Sequence, residues 1–233
     1  MLAGHIGAGL AIGRADRRIN VGVLIFAALL LDLLLWLFIL LGWESASIPA
    51  DFAVNHQPHF TFPYSHGLVG SLAWSALAVL AAYWWFPRPG ATKLRLAALF
   101  GAAVFSHWLL DALVHAPELR LAGPQSRMVG LGLWHSMPLA LTVESLIVAV
   151  GLWLYLPRAP ISRGKKLGVC VLGAGVLGFT IVGMTVAPPP PSVDAMAAGS
   201  LVTLLIVVAV AWWLGRIPGE PVFPFEERSE GDC

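Results

Sequence analysis

The sequence predicts an all-α fold: a polytopic membrane helix bundle of about six transmembrane helices plus a short N-terminal half-helix. Three observations carry this. Of the 233 residues, 58% are hydrophobic and only 12% are charged, whereas a soluble domain carries about 25% charged residues. Six apolar stretches reach the ~20 residues needed to cross a hydrocarbon core, roughly 19–42, 64–86, 94–116, 131–156, 166–187 and 196–215. The basic residues, finally, fall in alternate connections. Arg14, Arg17, Arg18, Arg88, Lys93, Arg95, Arg158, Arg163, Lys165, Lys166, Arg216 and Arg228 share one face, and only Arg120 and Arg127 lie on the other. Basic loops stay in the cytoplasm, so both termini are expected there, in a multi-pass protein of the inner (plasma) membrane, with the 43–63 loop outside.

The remaining composition excludes other classes. A net charge of +1 without a basic patch argues against nucleic-acid binding. Two cysteines, one in an apolar run and one at residue 233, cannot build a disulfide framework. The opening MLAGHIGAGLAIGRADRR has its positive charges after the apolar stretch, the reverse of a signal peptide. Residues 1–216 read as a single transmembrane domain and 217–233 as a disordered, acidic cytoplasmic tail.

Along the chain, residues 2–13 are too short to span. They place His5, Gly9 and Gly13 on one helical stripe, and the two glycines permit close backbone approach. Two readings stand for this segment: a half-helix dipping into the bundle from the cytoplasmic side, or an amphipathic anchor with His5 at the headgroups. In the first span Asp32 interrupts LLLDLLL, and His66 opens the second in FPYSHGLVGS. The third carries His107, Asp111 and His115 in FSHWLLDALVHAPEL, and the fourth carries Glu144 in LALTVES. The glycines of LGVCVLGAGVLGFTIVGM, with Ala174 and Gly178 four apart, read as a helix-packing surface. APPPPSVD breaks the last two spans apart.

A carboxylate at a helix centre costs about 2.5–3.5 kcal/mol on insertion scales, so such residues face the bundle interior and mark function. His and Asp four apart on a helix point the same way and can share one cation, with zinc–ligand distances of about 2.0–2.2 Å. Further ligands must come from other helices. Depth along each span sets Asp32, His107 and Asp111 at similar levels, with His66 above them. His135, before Pro138, is a rim candidate, and His56 and His59 of the loop NHQPHF read as solvated.

These residues resemble a known family. GHIGAGLAIG, YSHGLVGS and FSHWLLDALVH, spread over roughly residues 1–115, are similar to predicted membrane-bound metal-dependent hydrolases of the LexA-binding inner-membrane type. The resemblance implies His5, Asp32, His66, His107 and Asp111 as metal positions, a divalent ion (Zn²⁺, or Mn²⁺), and hydrolysis of an ester or phosphoester. The family's LLPDxDH pattern is replaced here by LLLDLLLW, which lacks the proline and the following ligands of a two-metal centre. His115 or Glu144 would act as general base or orient a ligand. The substrate expected is a small molecule or lipid reached at the outer half of the bilayer, with membrane lipids as surroundings. Two alternatives come from other classes: a proton-linked transporter using the same carboxylates and histidines, or a non-catalytic membrane scaffold or regulatory protein in which they pair among themselves.

Overall fold

The computed structural model describes residues 1–86, 90–123 and 125–216. The tail expected at 217–233 lies outside the described residues. The architecture is all-α. Among the described residues six helices are long and apolar enough to cross a membrane: α2 (Val21–Leu40), α4 (Leu68–Trp85), α5 (Gly90–Val114), α6 (Met137–Tyr155), α7 (Arg163–Thr185) and α8 (Val193–Gly215). Two shorter helices, α1 (Leu2–Gly13) and α3 (Phe52–Asn55), accompany them. The fourth span begins later than its apolar run suggests. Gly130 and Gly132 adopt positive φ, a 3-10 turn covers Leu133–His135, and Pro138 sits in the first turn of α6, where its missing N–H is harmless.

The apolar helix α2 lies centrally, packed on α8, α1 and α5, while α4 pairs with α5 and α1 with α6. Capping fixes its entry. Asn20 Oδ1 accepts from Gly22 N at 2.8 Å and Asn20 Nδ2 donates to Trp212 O at 2.9 Å, tying α2 to the far end of α8. Ser162 and Ser192 cap α7 and α8 through the amides of Lys165 and Ala195.

Residues 2–13 do enter the bundle. Ala3, His5, Ile6, Gly7, Gly9 and Leu10 are buried on α1. Glycine makes this possible. A Cβ at Gly7 would sit 2.7 Å from Ile147 O, and one at Gly9 3.1 Å from Ile25 Cα, so α1 lies backbone-to-backbone against α6 and α2. The glycines of α7 divide. A Cβ at Gly168 would lie 2.5 Å from Leu214 Cδ2 and one at Gly173 3.5 Å from Val148 Cγ1, so these two face α8 and α6, whereas a Cβ at Gly175, Gly178 or Gly183 would meet nothing within 4 Å and Ala174 is exposed. The expected packing surface on α7 is therefore corrected for the Ala174 and Gly178 pair and kept for Gly168 and Gly173: an absent Cβ permits close approach without compelling it.

The connections holding Arg14–Arg18 and Arg158 lie at one end of the bundle. At the other end, β1 (Ser45–Ser47) pairs antiparallel with β2 (His59–Thr61), and β3 (Leu119–Arg120) with β4 (Met128–Val129). The β1–β2 loop with α3 covers that end, burying Phe52, His56 and Phe62.

Candidate metal centre

Asp32 comes from the middle of α2, His66 from the turn before α4, His107 and Asp111 from α5, and His5 from α1. All five meet below the β1–β2 loop. His107 Nε2 lies 3.1 Å from His66 Nε2 and 3.2 Å from Asp111 Oδ2, and His66 Nε2 is 3.4 Å from that same oxygen. Asp32 Oδ1 stands 3.6 Å from both imidazole nitrogens. The three triad residues are buried, with side chains at most 2% exposed, while Asp32 is 19% exposed.

The proton positions follow from the outer partners. His107 Nδ1 lies 2.7 Å from Ala28 O. A carbonyl only accepts, so Nδ1 carries a proton, and in the neutral imidazole the lone pair is then on Nε2. His66 Nδ1 contacts Ser65 Oγ at 2.8 Å, and Ser65 Oγ donates to Glu44 Oε2 at 2.6 Å. The single hydroxyl proton is spent on the carboxylate, so Ser65 Oγ accepts from His66 Nδ1–H, and in the neutral imidazole His66 Nε2 likewise holds the lone pair. Glu44 Oε1 is held by the amides of Tyr64 and Ser65, both at 2.8 Å. Two lone-pair nitrogens and a carboxylate oxygen thus face one another across 3.1–3.4 Å.

This donor set fits a divalent ion. Tetrahedral zinc with bonds of about 2.0–2.1 Å separates its ligand atoms by about 3.3–3.4 Å, whereas octahedral magnesium at about 2.0–2.1 Å separates neighbouring ligands by about 2.8–3.0 Å. The triangle lies nearer the first. A second grouping, His5–Asp32–His107, also brings ligand atoms within 4.8 Å of one another. Both groupings draw on His107, whose Nδ1 faces Ala28 O, so they could hold one ion between them and not two. His5 braces the site: its ring stacks on His107 at 3.6 Å, and its Nε2 lies 3.1 Å from Asp111 Oδ1. Asp111 Oδ1 also lies 3.7 Å from the Met1 amino nitrogen.

His115 follows α5 and sits between the triad and a carboxylate. Its Nδ1 contacts Glu118 Oε1 at 2.5 Å and its Nε2 lies 3.8 Å from Asp111 Oδ2. Glu144 turns to α1: its Oε1 accepts from Gly4 N at 3.1 Å, satisfying one of the amides a helix start leaves unpaired. His135 and His59 are exposed and stand apart from the cluster. His56, expected in solvent, is instead 8% exposed. Its residue adopts a left-handed backbone at the end of α3, which turns it under the loop against Phe52.

Three contributors had no role in the sequence reading. Glu118 stands three residues after His115, a spacing that offers an ion pair across one turn. Glu44 and Ser65 gave no signal beyond an acidic residue in an aromatic loop and a serine beside a histidine. The cluster opens into a cavity of about 500 Å³ that reaches α7 and α8. A groove of similar size on α2, α4 and α8 is lined by apolar residues such as Phe26, Leu77 and Trp85 and lacks titratable groups. Comparison with family models, curated proteins and solved structures finds no match to this chain.

Proposed function

We propose that the protein is a membrane-bound, metal-dependent hydrolase of an ester or phosphoester. One observation carries the reading: His66 Nε2, His107 Nε2 and Asp111 Oδ2 converge within 3.1–3.4 Å while the outer nitrogens of both imidazoles are already committed as donors. A proton serves only one edge of that triangle, and a divalent cation serves all three, which favours metal binding over proton relay. His66, His107 and Asp111 would hold zinc, with Asp32 beside the fourth position, which is left for water or substrate, and His5 Nε2 3.1 Å from the other oxygen of Asp111. When bound, such an ion polarises an ester or phosphoryl oxygen and acidifies water.

The chain's own groups complete the chemistry. Glu118 holds the His115 Nδ1–H, leaving Nε2 to accept a proton from the attacking water. The water oxygen bonds to the acyl carbon or phosphorus, the ester bond breaks, and the leaving oxygen takes the proton from His115 Nε2 and departs as an alcohol. The sequence resemblance of GHIGAGLAIG, YSHGLVGS and FSHWLLDALVH to membrane-bound hydrolases supports the same reading. The distribution of Lys and Arg supports an inner-membrane orientation with both ends cytoplasmic and the cluster toward the outer leaflet.

Metal analysis tests it. Protein purified in detergent without chelator, then reconstituted with zinc or manganese, is expected to carry one ion per chain. The His107→Ala, Asp111→Ala double variant should carry none. An absence of metal from the wild type after reconstitution would remove the hydrolase reading, and ester and phosphoester panels on the loaded protein then separate the two bond types.

A further inference from the structure

The lining of the cavity beside the cluster is mixed. It includes the polar groups of Asp32, His66, Asp111 and His115 and the apolar side chains of Trp36, Phe60, Phe179, Met184, Met196 and Leu204. Its volume of about 500 Å³ lies within the ~300–1,000 Å³ of ligand pockets. The wall between α7 and α8 is thin. Gly183 and Gly199 line the cavity, and a Cβ on either would meet nothing within 4 Å. Phe179 beside them is 58% exposed, so this side leads to the lipid-facing surface, while the β1–β2 loop closes the end.

A second observation points to a polar ligand group. Thr180 Oγ1 lines the cavity, is buried, and has no hydrogen-bond partner among the described residues. The hydroxyls of Thr142, Thr185 and Thr203 all donate to the carbonyl four residues back, at 2.7–2.8 Å. Thr180 does not, although that acceptor is available on its own helix. His56, which also lines the cavity, has an Nδ1 that is likewise buried and unpartnered among the described residues. A buried polar group without a partner is costly, so both suit a ligand with acceptors of its own.

We infer that the cavity takes a single-chain amphiphile, its ester- or phosphoester-bearing head at the His/Asp cluster and its alkyl chain between α7 and α8. The inference rests on the hydrolase reading and names its substrate class. The head accepts from Thr180 Oγ1 and His56, and the chain enters sideways past Gly183 and Gly199. The volume accommodates one chain beside the head.

Photolabelling tests this. The full-length, zinc-treated protein in detergent is exposed to a lysophosphatidylcholine with a diazirine in its chain, and labelled peptides and metal content are measured on the same sample. Labelling is expected on residues 179–204 and should be displaced by unlabelled lysophosphatidylcholine. Gly199→Phe, and independently Gly183→Leu, should lower it about tenfold or more, since overpacking costs enough to shift an equilibrium by that factor, with zinc content unchanged. Thr180→Val should weaken labelling and leave zinc bound. Zinc without saturable labelling of α7 and α8, labelling spread evenly over the lipid-facing helices, or labelling indifferent to both cavity-filling variants would overturn the inference and leave the metal reading intact. Saturable labelling of a protein that binds no zinc would instead sink the hydrolase reading, with the amphiphile cavity still standing.

Discussion

Ser65→Ala isolates the part of the site that sets a single proton. In the wild type, Ser65 donates to Glu44 Oε2 at 2.6 Å and accepts from His66 Nδ1–H at 2.8 Å. That chain keeps the His66 proton away from the triad. Alanine removes the Nδ1 partner and leaves Glu44 Oε2 without its donor, while the two amides on Oε1 remain. The imidazole can then carry its proton on Nε2, where it blocks the ligand position. Losing one hydrogen bond to a charged or charge-oriented group is worth about 1.5–3 kcal/mol, or about 10–100-fold in metal affinity, the range found when outer partners of ligand histidines are removed. Glu44→Gln should cost at least as much. An amide in that place donates to Ser65 Oγ, Ser65 then donates to His66 Nδ1, and the imidazole proton is driven onto Nε2. The assay is zinc competition against a chromogenic chelator on the purified chain, with Ser145→Ala as control, since its hydroxyl only bonds Leu141 O within α6. If Ser65→Ala and Glu44→Gln bind zinc like the wild type while His107→Ala does not, the hydrogen-bond chain does not set the His66 proton and the assignment is wrong.

Two further predictions concern the frame around the site. Gly7→Ala should destabilise the bundle by about 1–3 kcal/mol in thermal unfolding in detergent, because the new Cβ meets Ile147 O at 2.7 Å. Gly178→Ala, facing open space, should cause no loss, and equal effects at both positions would refute the contrast between Gly7 and Gly178. Asp16, in the turn between α1 and α2, accepts from Arg18 Nε at 2.8 Å and from Arg18 N at 3.1 Å, and those bonds hold its carboxyl below the usual carboxylate range. A depressed folded-state pKa adds stability above the unfolded value, near 4, and that stability disappears as pH falls through the folded value. Wild type and Asp16→Asn should therefore differ in unfolding temperature at neutral pH and converge in acid. A gap that widened in acid would contradict the assignment.

Much of this arrangement was legible because membrane chemistry simplifies the code. Hydropathy and basic-residue alternation marked six spans, and the carboxylates Asp32 and Asp111 stood out in runs of leucine and alanine where nothing polar is needed for folding. Depth along each helix then matched Asp32 with His107 and Asp111. What stayed hidden depended on rotation and loops. Whether Gly178 meets a neighbour is decided by the lateral position of α7, which its own sequence does not specify. His56 is buried by a left-handed turn at the end of a four-residue helix, and Glu44 reaches the site only because β1 and β2 fold its loop back over the bundle.

The number of ions illustrates how sequence and coordinates constrain each other. LLLDLLLW lacks the acidic residues that would follow Asp32 in a two-metal pattern, which removes ligands from the first span. His107 Nδ1 is committed to Ala28 O, so both donor groupings draw on one nitrogen with one lone pair. The first argument concerns which side chains exist and the second concerns where one proton sits, and neither depends on the other. Both give a single ion. The remaining carboxylate oxygen of Asp32, 3.6 Å from each imidazole and partly open to the cavity, then serves that ion or the head of the substrate, and two ions per chain in the metal analysis would break both arguments together.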